Sequence, residues 1–375
     1  MGCHAKTGQR VEVAVVLTLL IATPYGCTVL NRDMQRQCPV DPIFGLPTPL
    51  LFAHRGGARE APESTERGFE YAREQAGVDV LELDVRLTKD GQFVVWHGPS
   101  LDNVRIRDQP DCPCLRKQRN VADYDWAELR ERAWVADPPC QIGECNLAAV
   151  DDKDSKRQLI LLKDFLDRFR CAPLNVELKD FWVSPCHVAD FVRLLDNAPR
   201  CTGNGPPHQR PIIVAAANDL VLADFRRQSG GRYPTNIPVV ESLSVLPYVP
   251  RLWYKSGRAL EVPRSWWFSG PGTVGTMHRA GAAVHVFITT FLGIGGLDEQ
   301  PLQVSQEEID ALLERDIDGI MTDRPCEVRV LMNNWTRQHR PADCAPPQIE
   351  LPCQQTQPER LVRERGSTAC PCLKP

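Results

Sequence analysis

Apolar residues recur along this chain in short runs of five to eight: PLLFAH, VDVLELDV, LNVELK, PIIVAAA, IPVVES, ALEVP, AAVHVFIT and DGIMTD. Between most of them lie segments whose apolar positions repeat at helical spacing: Glu66 to Gln75, Arg157 to Phe169, His187 to Leu195, Leu220 to Gln228 and Glu307 to Arg315. The first kind suits buried strands and the second suits helices with one apolar face. Eight strands separated by crossovers predict an α/β fold in which a parallel sheet closes into a ring with helices outside, the (β/α)8 or TIM barrel. An open, doubly wound sheet is the alternative. Polar residues gather at the C-terminal ends of many strands and not at one switch point, which favours the barrel.

Two interruptions divide the chain. After His97 the alternation lapses until about Ser155, too long for an ordinary connection, so residues 98–155 are expected to form an insertion following the second strand. From about Pro341, proline, glutamine and cysteine dominate without periodicity. The expected organisation is a barrel over 49–335 and a proline- and cysteine-rich tail over 336–375. Residues 28–48 are expected to be a tether. At the N-terminus Lys6 and Arg10 precede the apolar run Val13 to Thr23, followed by TPYGC. That run is too short to span a bilayer, and residues 1–27 are expected to be an export signal. Gly26 before Cys27 also fits a lipoprotein cleavage box, in which a lipidated Cys27 anchors the chain to a membrane.

Composition sharpens the compartment. Fifteen cysteines in 375 residues fit an exported protein, secreted, periplasmic or membrane-anchored, better than a reducing cytosol. Cys112, Cys114, Cys140 and Cys145 lie in the polar insertion, and Cys344, Cys353, Cys370 and Cys372 in the tail. Local disulfides are expected there. Zinc is disfavoured because Cys-Pro-Cys lacks the C-x-x-C spacing of common structural sites. A formal net charge of -4 with no basic cluster excludes nucleic acid as a partner.

The chemistry concentrates in Leu51 to Gly98. In VLELDV, Glu82 and Asp84 share one strand face while Leu81, Leu83 and Val85 share the other. In LNVELKD, Asn175, Glu177 and Lys179 likewise share a face. Three acids converging from two neighbouring strands would repel one another unless a cation lay among them. Oxygen ligands call for a hard divalent ion, Ca2+ or Mg2+. His54 and His97 each end an apolar run, which puts both imidazoles at the same rim, where they suit proton transfer near neutral pH.

AHRGG, APEST, LELDV, LTKDG and VVWHG follow one another in this order, and NVELK, ALEVP, AGAAVHVFITT and DGIMTDRP come later. From about Leu50 to Pro325 the sequence resembles the glycerophosphodiester phosphodiesterases, which are close in fold to the phosphatidylinositol-specific phospholipases C. The resemblance implies metal ligation by Glu82, Asp84 and Glu177, acid and base work by His54 and His97, and phosphate binding by Arg55 and Lys179. It implies metal-dependent hydrolysis of a glycerophosphodiester to sn-glycerol 3-phosphate and an alcohol, with a small-molecule or lysolipid phosphodiester as substrate. A lysophospholipase D or phospholipase C activity would use the same site, with Trp266, Trp267 and Phe268 available to an acyl chain. A barrel that binds without catalysing is the remaining alternative. The chain departs from the family pattern at Gly98, where an Asp is usual, at Ser64, where an Asn is usual, and at Phe287 and Thr290, where Trp and Asn are usual.

Overall fold

The computed structural model describes residues 39–101, 104–106, 120–135, 154–201, 210–237, 257–264, 269–288 and 304–340. The strands are β1 (Leu50–Ala53), β2 (Val80–Leu87), β3 (Phe93–Val95), β4 (Val104–Ile106), β5 (Ala133–Val135), β6 (Leu174–Leu178), β7 (Ile212–Ala216), β8 (Ala259–Pro263), β9 (Ala283–Phe287) and β10 (Gly319–Thr322). The helices are α1 (Glu66–Glu70), α2 (Trp126–Arg132), α3 (Leu162–Arg168), α4 (Pro185–Asp196), α5 (Asp219–Ser229), α6 (Pro271–Arg279), α7 (Gln306–Leu313) and α8 (Pro325–His339).

Seven strands form a continuous parallel ladder in the order β7-β6-β2-β1-β10-β9-β8. Among the described residues, the eighth stave is short. Val214 bridges Thr235 and Asn236 bridges Ala259, both in parallel, so a three-residue segment joins β7 to β8 and closes the ring. Backbone bonds from Asn236 N to the Val214 carbonyl (3.0 Å) and from Ile237 N to the Ala259 carbonyl (2.8 Å) make that closure. Ile237 opens the IPVVES run expected to supply this stave, and the rest of that run falls outside the described residues.

Alternation along the strands sorts the side chains. Leu81, Leu83 and Val85 of β2 pack outward with Val176 and Leu178 of β6 against Phe165 of α3 and Phe191 of α4. Leu50, Phe52, Val80, Ile213, Ala259, Ala283 and Met321 fill the interior. Helix α4 shows why the outer layer forms. Val188, Phe191, Val192 and Leu195 are buried along one stripe, and the Ser184 hydroxyl caps the start by accepting from His187 N.

Three boundaries differ from the sequence expectation. Residues 39–48 are not a free tether: Phe44 packs edge-on against Phe52 at 5.7 Å inside the ring. Asp41 is fully buried, accepting from Ile43 N and Phe44 N (both 2.8 Å) and pairing with His285 Nε2 of β9 at 2.9 Å. The insertion is built around its own small core, with β4 antiparallel to β5 and with Val94, Trp96, Leu101, Val104, Leu129 and Val135 packed together. β3 folds back antiparallel on β2. Helix α8 runs to His339, so the barrel extends past 335. The signal segment, the tail and Cys112, Cys114, Cys140 and Cys145 lie outside the described residues.

Removing one partner of a buried ion pair strands the other in an apolar setting. Asp41→Ala should cost about 3 kcal/mol or more in denaturant unfolding, whereas Val40→Ala, at a neighbour that is 52% exposed, should leave the midpoint nearly unchanged.

Candidate active site

The rim is built from one turn outward. β1 ends in a single 3-10 turn, His54–Gly56, in which Arg55 adopts φ 52° and ψ 31°, a left-handed conformation rare for a side chain of this size. That conformation aims the Arg55 N–H at Glu82 Oε2, 2.8 Å away. The glycine pair that follows is required. Gly57 has φ 91°, and a Cβ there would lie 2.8 Å from Pro325 Cγ at the start of α8. Ser64 also has φ 57°, is fully buried, and donates its N–H to the Arg55 carbonyl (2.9 Å). The Asn usual at this position would enter that backbone region more readily than Ser does, yet the turn is formed with Ser64 in it.

β2 and β6 bring the acids together in register. Glu82 lies opposite Asn175 and Asp84 opposite Glu177. One oxygen from each of Glu82, Asp84 and Glu177 lies within 4.8 Å of the others. Arg55 and Lys179, expected on the phosphate, engage these acids here. Lys179 Nζ sits 2.7 Å from Glu177 Oε2 and 3.3 Å from Asp84 Oδ1, and Arg55 Nε sits 3.4 Å from Asp84 Oδ2. Arg55 also reaches Glu63 Oε2 at 3.2 Å. Across the barrel, Asn175 Nδ2 donates to Glu261 Oε1 of β8 at 2.6 Å.

Charge is unevenly distributed among the acids. Burial pushes Glu82 well above the usual carboxylate range, and Asp84 adds to the effect. Burial raises Glu177 as well. Burial would also raise Asp84, but Lys179 and Arg55 outweigh it and hold that carboxyl below its ordinary value. Both Asp84 oxygens are buried without a hydrogen-bond donor. A buried, ionised carboxylate with no donor, beside two further carboxylates, is a donor set that suits a hard divalent cation.

The histidines stand in different surroundings. His54 Nδ1 is 2.6 Å from Asp323 Oδ1, directly after β10. An Nδ1–H donated to that carboxylate leaves Nε2 as the working nitrogen. His97 follows β3, and burial pushes its imidazole down to about 3, opposed by Asp84. Its backbone is held by Arg86, whose Nε donates to the His97 carbonyl (2.7 Å) and whose NH1 pairs with Asp180 after β6 (2.7 Å). Arg86 thereby ties the His97 loop to the neighbouring strand end without any acid at 98. A Cβ at Gly98 would meet the Ser100 carbonyl at 3.2 Å. Asp323, Arg86 and Glu63 were not singled out in the sequence. Asp323 had one signal, an acid immediately after an apolar strand on the rim that carries His54. Trp266, Trp267, Phe268 and Thr290 lie outside the described residues, while Phe287 is half-buried at the end of β9.

With this geometry in view, residues 54–195 match the model of the Glycerophosphoryl diester phosphodiesterase family. The matched stretch carries Glu82, Asp84, Glu177 and both histidines. Among its relatives, lysophospholipase D GDPD1 of Mus musculus is 32% identical over 130 residues, covering 34% of this chain and 35% of that protein. Lysophospholipase D GDPD3 of Mus musculus is 23% identical over 331 residues, covering 83% and 89%. A glycerophosphodiester phosphodiesterase of Caldanaerobacter subterraneus subsp. tengcongensis is 49% identical over 55 residues, covering 15% and 22%. The chain thus spans about a third of the length of the first of these. Among solved structures, a phosphodiesterase of Oleispira antarctica in complex with the product sn-glycerol-3-phosphate superposes with a TM-score of 0.55 at 18% identity, covering 76% of this chain and 97% of that one. A glycerophosphodiester phosphodiesterase from Agrobacterium tumefaciens superposes with a TM-score of 0.52 at 19% identity, covering 76% and 100%. These likenesses establish the fold, and the site is described by its own residues above.

Because Glu82 and Glu177 hold protons more tightly than free carboxyls, a cation entering this site competes with those protons. Calorimetry with Ca2+ and Mg2+ in buffers of different ionisation enthalpy should show proton release on binding and an affinity that rises with pH. Glu177→Gln should weaken binding by about tenfold or more while circular dichroism stays unchanged.

Proposed function

We propose that this protein hydrolyses phosphodiesters of glycerol, releasing the alcohol and leaving the phosphate on the glycerol carbon that bears it. The observation that carries this reading is the caged triad of Glu82, Asp84 and Glu177 together with two histidines, His54 and His97, each in electrostatic reach of Asp84. Glycerophosphodiesters and lysophospholipids are the substrate class, consistent with the names of the relatives.

Glu82, Asp84 and Glu177 would hold the cation, Ca2+ or Mg2+. When bound, it would supply Lewis-acid stabilisation to the non-bridging oxygens of the diester. Arg55 and Lys179 already lie against the same carboxylates, so their positive charge is available to the phosphate that enters there. His97, kept neutral by burial, takes the proton from the attacking oxygen, which is water or a neighbouring glycerol hydroxyl. His54, backed by the Asp323 carboxylate, delivers a proton from Nε2 to the departing alcohol. The Arg55 N–H holds Glu82 in its rotamer, so the turn that carries His54 also fixes one ligand.

Export completes the reading. The N-terminal signal pattern, the cysteine content and the disulfide at Cys326 support a protein that works outside the cytosol. Lipidation at Cys27 would tether it to a membrane.

The test is a screen of glycerophosphodiesters and lysophospholipids with and without chelator, reading released alcohol. Turnover should vanish on chelation and return with the divalent ion. His54→Ala and His97→Ala should each lower kcat by roughly two orders of magnitude or more with cation binding retained. Asp323→Asn should lower kcat comparably and change the pH profile, because a neutral amide oxygen can accept the Nδ1–H but carries no charge to hold the protonated ring. Full turnover after exhaustive chelation would refute the reading.

A further inference from the structure

Among the described residues, four large apolar side chains are conspicuously exposed, and three of them stand together on the catalytic rim. Phe181 and Trp182 are 59% and 75% exposed in the loop after β6, and Leu220 is 70% exposed in the first turn of α5 after β7. The fourth, Val40, lies beside Asp41 at the base of the barrel. β6 and β7 are adjacent strands, so their two loops are neighbours at the end of the barrel where Glu177, Lys179, His54 and His97 lie.

The exposure is held in place. The Asn218 side chain is buried and joins the two loops: Nδ2 donates to the Phe181 carbonyl (2.8 Å), and Oδ1 accepts from Leu220 N (2.8 Å). Asp180, directly before the aromatic pair, is fixed by Arg86 NH1 and by Leu87 N, each at 2.7 Å. Phe181 and Trp182 brace each other edge to face, with ring centroids 5.2 Å apart and planes at 87°. Flexible surface aromatics would turn inward to cover themselves. These are presented outward by bonds made to the loops that carry them. A protruding set of Phe, Trp and Leu matches the boundary between headgroups and acyl chains, where an indole ring sits with its apolar body immersed and its N–H wet. Neither loop offers a cation: residues 180–187 and 217–225 contain no Lys or Arg. Attraction to an anionic surface has no source here.

We propose that Phe181, Trp182 and Leu220 form a docking patch that seats the mouth of the barrel on a zwitterionic lipid surface. The inference rests on the phosphodiesterase reading only for its purpose, which is to bring a lipid-borne diester to the rim. The patch enters the surface, the site faces it, and a lysophospholipid reaches Lys179 without crossing open water. A small soluble diester does not need the patch.

The experiment partitions the purified full chain onto phosphatidylcholine vesicles and compares it with the double variant Phe181→Ser/Trp182→Ser, with Leu220→Ser and with Trp182→Phe. The parent should cosediment, and several-fold higher salt should change this little. The double variant should bind about tenfold or more weakly, Leu220→Ser should fall between, and Trp182→Phe should stay near the parent. Hydrolysis of a water-soluble glycerophosphodiester should be unchanged in the double variant, whereas hydrolysis of micellar lysophosphatidylcholine should drop by a similar factor. The proposal is overturned if the parent ignores zwitterionic vesicles, if the double variant binds as the parent does, or if binding appears only with anionic lipid. A parent that self-associates through the patch, and a double variant that does not, would assign the patch to a second copy and overturn it too. If neither substrate is hydrolysed, the enzymatic reading fails, and vesicle partitioning still decides the docking patch on its own.

Discussion

The site depends on one electrostatic problem: three carboxylates from adjacent strands share a space a few ångströms across, and Asp84 has no hydrogen-bond donor to either oxygen. A fold can tolerate this only if compensating charge is built into the same wall. The wall supplies Arg55 from the turn after β1 and Lys179 from the end of β6. The left-handed backbone at Arg55, the two glycines after it and the buried Ser64 beneath it are all local conditions for placing one N–H and one guanidinium against Glu82 and Asp84. Strain in the turn and burial of charge are therefore two sides of one arrangement.

A second layer of bonds converts that arrangement into a rigid frame. Arg86 reaches from β2 to both the His97 carbonyl and Asp180, and Asp323 reaches from the end of β10 to His54. The His54 ring and the His97 backbone are thus each held by a residue from another part of the barrel. At the opposite end of the barrel, Asp41 and Phe44 plug the interior, so residues before the first strand stabilise the ring from below.

The sequence revealed the parts whose causes are local. Period-two alternation in VLELDV and LNVELK announced which way Glu82, Asp84 and Glu177 face, and the structure places all three as that alternation implies. Strand-end histidines were visible for the same reason. The bracing residues were not, because their partners are remote: 269 positions separate His54 from Asp323, and 244 separate Asp41 from His285. Helix α6 was hidden by Gly272 and Gly275, and α8 by its asparagines and β-branched valines, where tertiary packing overrides weak local preference. Exposure cannot be read from a sequence at all, so nothing singled out Phe181 and Trp182.

The cage occupies one arc of the barrel. β10, β1, β2 and β6, which carry or directly precede Glu82, Asp84, Glu177, Arg55, Lys179, His54 and Asp323, are consecutive in the unbroken ladder. Local opening follows the fewest bonds, so strands paired on both sides keep the carboxylates in register.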